Sequence, residues 1–160
     1  MIDSKIVNQE SLVQKISDWK KSNLRIVFTN GCFDLLHKGH VDYLAKAADL
    51  GDVLVVGLNS DASVSRLKGK NRPIQNQDSR AAIMASLECV SAVCIFNEET
   101  PENLIQKAKP DVLVKGGDYT IETIVGADFV LSRGGMVETI PFLEGFSTSA
   151  IETKILHSKK

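Results

Sequence analysis

His37 and His40 stand three residues apart in the stretch Thr29-Asn30-Gly31-Cys32-Phe33-Asp34-Leu35-Leu36-His37-Lys38-Gly39-His40. At that spacing on a helix, both imidazoles can face one side. A helix that starts between or just before them turns free amides and the positive end of its dipole the same way, which favours an anion. Gly39 keeps side-chain bulk away from that anion. Gly31 permits a tight turn and lets a ligand approach the backbone. Such a set could bind phosphate oxygens and stabilise charge as the bond between the α- and β-phosphates of a nucleoside triphosphate breaks. Transfer of this type needs positioning and charge neutralisation more than covalent chemistry. An attacking substrate phosphate is already ionised at neutral pH, so no protein nucleophile or strong base is required. An isolated H-x-G-H more often marks unrelated surface histidines. Here two of the chain's three histidines follow directly on an expected buried strand and a glycine-bearing loop, and that placement favours function.

Apolar strand-like runs alternate with helical patterns along the chain, which implies a parallel sheet covered by helices. Strands are expected at Arg25–Thr29, Asp52–Leu58, Val90–Phe96, Asp111–Val114 and Gly135–Ile140. Helices are expected at Ser11–Ser22, about Gly39–Leu50 with Gly51 as its stop, Asp61–Leu67, about Ser79–Glu88, after Pro101 with Thr100 as its cap, and from about Thr148. Gly69–Gln75 reads as a mobile loop. The expected fold is α/β: a single Rossmann-like, doubly wound domain on a sheet of five parallel strands, with residues 24–157 as its core and 1–23 as a helical extension. Ligands of such sheets bind beyond the carboxyl ends of the strands. That edge carries the loop after Thr29 and the run Lys115-Gly116-Gly117-Asp118-Tyr119. The two glycines would let backbone pack on a base or sugar ring. Asp118 would accept from sugar hydroxyls or cap the next helix.

A chain of 160 residues, 43% hydrophobic and 24% charged, suits one globular domain. A net charge of −1 supplies no basic field for a nucleic-acid backbone. No apolar h-region or bilayer-spanning run is visible, so the expectation is a cytoplasmic protein without membrane partners. Cys32, Cys89 and Cys94 are odd in number and lack C-x-x-C spacing, which excludes a disulfide framework and a zinc cluster. Neither a P-loop G-x-x-x-x-G-K-[ST] nor a G-x-G-x-x-G after the first strand is present.

The stretch TNGCFDLLHKGH resembles the cytidylyltransferase-like superfamily, marked by a strand followed by an H-x-G-H helix start. GLNSD (Gly57–Asp61), RLKGKNRP (Arg66–Pro73), VKGGDY (Val114–Tyr119) and EGFSTSAI (Glu144–Ile151) resemble its heptose 1-phosphate adenylyltransferase branch, and the likeness runs from about Arg25 to Ile155. The resemblance implies transfer of AMP from ATP, with Mg²⁺, to a heptose 1-phosphate, giving ADP-heptose for lipopolysaccharide core assembly and releasing pyrophosphate. It assigns His37 and His40 to the triphosphate and its transition-state charge. It sets Thr29, Asn30 and the backbone of Gly31, Cys32 and Phe33, with Gly39, beside the nucleotide. Asp34 is structural support or part of the metal and phosphate environment. Lys68, or failing that Lys70, reaches the α-phosphate. Lys115, Gly116 and Asp118 belong to the nucleotide site, and Ser147, Thr148 and Ser149 meet phosphates at the last helix's N-terminus, where Thr148 could instead serve as an N-cap. Asn59, Arg72 and Arg80 join Asp34 and Lys70 as substrate-binding candidates. The resemblance implies a homodimer. Its members often carry a fused sugar kinase. None is visible here, so a separate chain is expected to make the acceptor.

Cytidylyltransferases acting on glycerol phosphate or choline phosphate usually read R-T-E-G-I-S-T-T before the last helix. Here Phe142 holds the arginine position and Ser149 the last threonine, which favours adenylyl over cytidylyl transfer. The rival readings are the same chemistry on glycerol 3-phosphate, pantetheine phosphate or flavin mononucleotide, a nucleotide-binding regulatory module, and a thiol protein resting on Cys32 alone.

Overall fold

The computed structural model describes residues 1–158; Lys159 and Lys160, the last two of the expected domain, lie outside the described residues. The strands and helices follow in the order β1 (Ile6–Val7), α1 (Gln9–Lys21), β2 (Ile26–Gly31), α2 (Lys38–Ala48), β3 (Val53–Asn59), α3 (Asp61–Lys68), α4 (Gln77–Ser86), β4 (Ala92–Phe96), α5 (Glu102–Ala108), β5 (Val112–Gly116), α6 (Ala127–Ser132), β6 (Met136–Ile140) and α7 (Thr148–His157). Short 3₁₀ turns lie at Ile2–Lys5 and Ile121–Thr123.

Six strands form one parallel sheet in the order β1-β4-β3-β2-β5-β6, which corrects the expected five. The extra strand is β1, whose Ile6 and Val7 pair with Val93 and Cys94. Two residues are too short for a period-two pattern to register in the sequence. Residues 1–23 are therefore not a purely helical extension. They supply an edge strand, and Leu12 and Ile16 of α1 are buried in the core.

Side chains alternate across each strand and divide the core into two layers. Ile26 and Phe28 of β2, with Val53 and Val55 of β3, pack against Leu12 and Ile16 of α1, Leu104 and Ile105 of α5, and Val130 of α6. Val27, Leu54 and Val56 pack on the other face against Leu44 and Ala47 of α2 and Ala81 and Met84 of α4. Every residue of β3 is buried, as a central strand covered on both faces requires. Each fully buried Val or Leu contributes about 1.5–3 kcal/mol of hydrophobic stabilisation.

Helix starts follow local capping chemistry. Asn8, Ser60, Asn76 and Ser147 each accept from the amide three residues on. Several expected helix bounds move: α1 starts at Gln9 rather than Ser11, and α4 spans Gln77–Ser86 rather than about Ser79–Glu88. Helix α5 is not capped by Thr100: the Pro101 carbonyl already accepts from Ile105 N (2.8 Å), so the helix begins at Glu102 and leaves Thr100 outside it. Helix α2 ends at Ala48 with Asp49 as C-cap, two residues before Gly51. Helix α6 was not among the expected elements. It has only six residues and follows Gly126 with φ +85°.

Between β2 and β5 the chain order reverses, since β2 feeds β3 on one side while β5 and β6 build outward on the other. Such a switch opens a crevice at the carboxyl ends of those two strands. No helix among the described residues is long and apolar enough to cross a membrane.

Candidate functional site

A cavity of about 530 Å³ opens at that switch point. Asn30, Gly31, Cys32, Phe33, Asp34 and His40 line it from the β2–α2 junction, Asn59 from the end of β3, Lys68 from the end of α3, Lys115 and Gly116 from β5, and Thr148 from the start of α7. Sequence segments more than a hundred residues apart thus meet over one edge of the sheet.

The floor is fixed by a buried hydroxyl chain. Tyr43 of α2 donates to Val114 O of β5 (3.3 Å), which leaves the Thr29 hydroxyl to donate to Tyr43 Oη (2.7 Å). Burial pushes the Tyr43 phenol up to about 12, so it stays a neutral donor. Thr29 itself is fully buried and lies beneath the cavity rather than in its wall.

His37 is the N-cap residue of α2 and His40 lies in its first turn. Their rings stack at 3.8 Å between centroids and 21° between planes, and Phe33 meets the His40 ring edge-on at 5.2 Å. Of the two, only His40 lines the cavity; His37 backs it. Burial, then the neighbouring His37 and Lys68, pushes His40 down to about 4, and burial lowers His37. Both rings are accordingly neutral at pH 7. Each Nδ1 is enclosed and has no hydrogen-bond partner. Buried polar atoms normally have partners, so the orphaned nitrogen of His40, the ring of the pair that lines the crevice, marks a place for a ligand.

Asp34 is structural support. Its carboxylate accepts from Ile74 N (2.8 Å), Gln75 N (2.9 Å) and Arg72 (3.3 Å). Burial would raise this carboxyl, but the Gln75 and Ile74 amides and the Arg72 guanidinium outweigh it and hold it below the usual range. These bonds tie segment 69–75, expected as a mobile loop, to the β2–α2 loop. Arg72 is not free for substrate: it bridges Asp34 and Glu152 of α7.

Arg80 is a correction. Expected as an anion binder, it is fully buried, and its guanidinium donates to the carbonyls of Gln75, Cys32 and Asn59 and to the Asp61 carboxylate. All three of its nitrogens bond to the protein, so it holds the β2–α2 loop and the end of β3 in register. Asn59 is buried as well and donates to Ser63 Oγ (2.9 Å).

Lys68 lines the cavity and Lys70 does not. Lys115 reaches it beside the Tyr119 ring, with Nζ 5.6 Å from the centroid, and burial lowers its pKa. Asp118 is exposed and outside the lining. At the start of α7, Ser147 is the N-cap and accepts from Ala150 N (3.0 Å), while Thr148 donates to Leu35 O (3.3 Å) and faces the cavity. Ser147 and Ser149 lie outside the lining. Burial raises the Cys32 thiol against the pull of Lys68 and Arg80, so it is a packed small side chain rather than a thiolate.

The lining also holds residues that the sequence did not single out for the site. Glu99, Thr100 and Pro101 come from the β4–α5 loop, Thr123, Ile124 and Val125 from the segment after β5, and Tyr43 from α2. Their common feature is position just past a strand's carboxyl end or on the helix beneath it. That could have been used for β4 as it was for β2 and β5.

Residues 28–154 match the family described as cytidylyltransferase-like. The bifunctional protein HldE of Trichlorobacter lovleyi is 56% identical over 154 residues, 96% of this chain and 31% of that protein. The bifunctional protein HldE of Geobacter metallireducens is 56% identical over 156 residues, 98% of this chain and 32% of that protein. The chain thus spans about a third of the length of these curated relatives. Among solved structures, the lipopolysaccharide core biosynthesis protein from Thermoplasma volcanium GSS1 is 30% identical with a TM-score of 0.60, covering 75% of this chain and 97% of that one.

Proposed function

Because the chain belongs to the cytidylyltransferase-like family, we propose that it is a nucleotidyltransferase that moves AMP from ATP to D-glycero-β-D-manno-heptose 1-phosphate. An oxygen of the acceptor phosphate attacks the α-phosphorus of ATP. The bond from that phosphorus to the bridging oxygen breaks, and pyrophosphate leaves with the electron pair. The products are ADP-heptose and pyrophosphate. The names of the relatives, a bifunctional HldE and a lipopolysaccharide core biosynthesis protein, support this choice of pathway.

The observation that carries the reading is the stacked pair of neutral imidazoles with unpartnered Nδ1 atoms at the mouth of the β2–α2 junction. His40 donates to the triphosphate from within the cavity, and His37 holds the ring in place from behind. Lys68 and Lys115 supply positive charge from two walls. The N-termini of α2 and α7 add amide dipoles, with Thr148 between them. The backbone at Gly116, against the Phe142 ring, accepts the base on the β5 side. A Cβ at Gly116 would lie 2.7 Å from Phe142 Cε1, so only glycine lets the ring cover this strand end.

No group of three or more His, Cys, Asp and Glu that could hold a metal ion exists among the described residues. Magnesium enters with the substrate as MgATP, held chiefly through phosphate oxygens. A homodimer and a sugar kinase that supplies the acceptor complete the reading. Whether that kinase is a separate chain is tested by assaying this chain with and without one.

The direct test is pyrophosphate release with ATP against CTP, each with heptose 1-phosphate and glycerol 3-phosphate. ATP with heptose 1-phosphate is expected to give the highest kcat/KM. Faster turnover with CTP or glycerol 3-phosphate overturns the assignment.

A further inference from the structure

The cavity has two carboxylates in its lining, Asp34 and Glu99, and they are not equivalent. Asp34 is saturated by Ile74, Gln75 and Arg72. Glu99, three residues beyond β4, makes no hydrogen bond or ion pair among the described residues, whereas the adjacent Glu98 is tied to Asn97 N (2.9 Å) and Asn103 Nδ2 (3.2 Å). Glu99, exposed at the rim, is thus the one carboxylate of the lining among the described residues whose oxygens no protein group uses. Thr100 stands beside it, left outside α5 because the Pro101 carbonyl starts that helix.

A free carboxylate repels a polyphosphate unless a cation lies between them. Glu99 belongs to no group of three or more metal-holding side chains among the described residues, and its two oxygens suit the uncharged, hydroxyl-bearing part of a substrate. An ionised carboxylate has two oxygens and only accepts, which suits a pair of neighbouring sugar hydroxyls. The choice is between the ribose of the nucleotide and the sugar of the acceptor. Sheet order decides it. β4 lies beyond β3 on one side of β2, while β5, with Gly116, Tyr119 and the Phe142 ring, lies on the other. His40 and Lys68, proposed for the phosphates, lie on the helices that follow β2 and β3, the two strands between β4 and β5. Attack in line places the acceptor opposite the departing pyrophosphate, with the ribose to the side of that axis.

Resting on the proposed adenylyl transfer, we propose that Glu99, with Thr100, is the acceptor-reading site, and that it selects a polyhydroxylated sugar phosphate by accepting hydrogen bonds from the sugar's hydroxyls. Glu99 is a specificity residue rather than a source of transition-state charge. Its loss changes how well the acceptor binds and leaves the nucleotide untouched.

The test uses Glu99→Gln and Thr100→Val, with folding checked by thermal melting. Steady-state pyrophosphate release gives KM for heptose 1-phosphate, and calorimetry gives Kd for MgATP. Glu99→Gln should raise the acceptor KM about tenfold or more, the scale of a lost charged hydrogen bond. MgATP Kd should stay within about twofold, and Thr100→Val should show the same pattern more weakly. Weaker MgATP binding with an unchanged acceptor KM would assign Glu99 to the ribose and overturn the proposal, as would no change in either constant. Wild-type protein that binds MgATP yet gives no turnover with heptose 1-phosphate defeats the reaction and this subsite together. Turnover in the wild type with an indifferent Glu99→Gln defeats the subsite alone.

Discussion

The imidazoles of His37 and His40 lie 3.8 Å apart and nearly parallel, closed in so that each Nδ1 lacks a partner. Two rings at that distance cannot both carry a proton without repulsion, and burial disfavours even one charge. The pair is therefore built as neutral donors, and an arriving triphosphate supplies the negative charge that strengthens them. His40→Ala is expected to lower turnover by at least ~100-fold, the scale of losing a transition-state charge contact. His37→Ala should cost less, since its ring acts through His40. Normal pyrophosphate release from His40→Ala removes the catalytic assignment.

The same pair makes stability depend on pH. Burial and the neighbouring His37 and Lys68 place the folded His40 at about 4, against 6.5 for an ordinary imidazole. Between those values the unfolded chain binds a proton that the folded chain refuses. Stability from this group is thus constant above pH 6.5 and falls as pH drops from 6.5 towards 4. Urea midpoints measured across that window should fall more steeply for wild type than for His40→Asn. Parallel slopes would show that the ring is not held neutral.

Arg80 and Arg72 show how far sequence reaches. As types, both look like anion binders near a phosphate loop. Only the fold reveals that Arg80 is fully buried and spends its donors on carbonyls of Gln75, Cys32 and Asn59, or that Arg72 is neutralised by Asp34 and Glu152. A side chain's partners are set by tertiary contacts, which spacing does not encode. The strand–glycine–H-x-G-H order, by contrast, is local: a buried run, a turn and a helix start dictate where His40 must stand. The long runs for β2 to β6 were legible for the same reason. The two-residue β1 and six-residue α6 were not, being too short to show a period.

Arg80→Ala should therefore be a stability variant. Removing the guanidinium strips three carbonyls of a donor and leaves the part-exposed Asp61 carboxylate without its partner, at a cost of about 2–4 kcal/mol. Denaturant unfolding measures it. A variant of unchanged stability with a raised KM for ATP would return Arg80 to the substrate site.

Lys68 and Lys70 separate cleanly. Both are exposed, but Lys68 lines the cavity and its charge helps to depress His40, while Lys70 lies outside the lining. Lys68→Ala should lower kcat/KM for ATP by ~100-fold, as expected when a preorganised cation at the phosphate is lost. Lys70→Ala should stay near wild type. The reverse order would move the α-phosphate contact one turn along the loop.

Gly39 sets stability against activity in one substitution. A Cβ there would stand 3.0 Å from both Cε1 and Nδ1 of His37 and 3.2 Å from Phe146 Cβ. Those distances are tight rather than impossible, so the neighbours shift by a few tenths of an ångström and the chain still folds. Alanine inside a helix gains about 0.5–1 kcal/mol over glycine, which offsets the crowding. Gly39→Ala should therefore melt close to wild type. The atoms that give way are the His37 ring, on which His40 stacks, and the residue preceding the Ser147 cap of α7, so the phosphate site loses its alignment. Small displacements of positioning groups are costly to rate, and kcat/KM for ATP should fall ~10-fold or more. Full activity at wild-type stability would mean that the stacked geometry is not what the reaction requires.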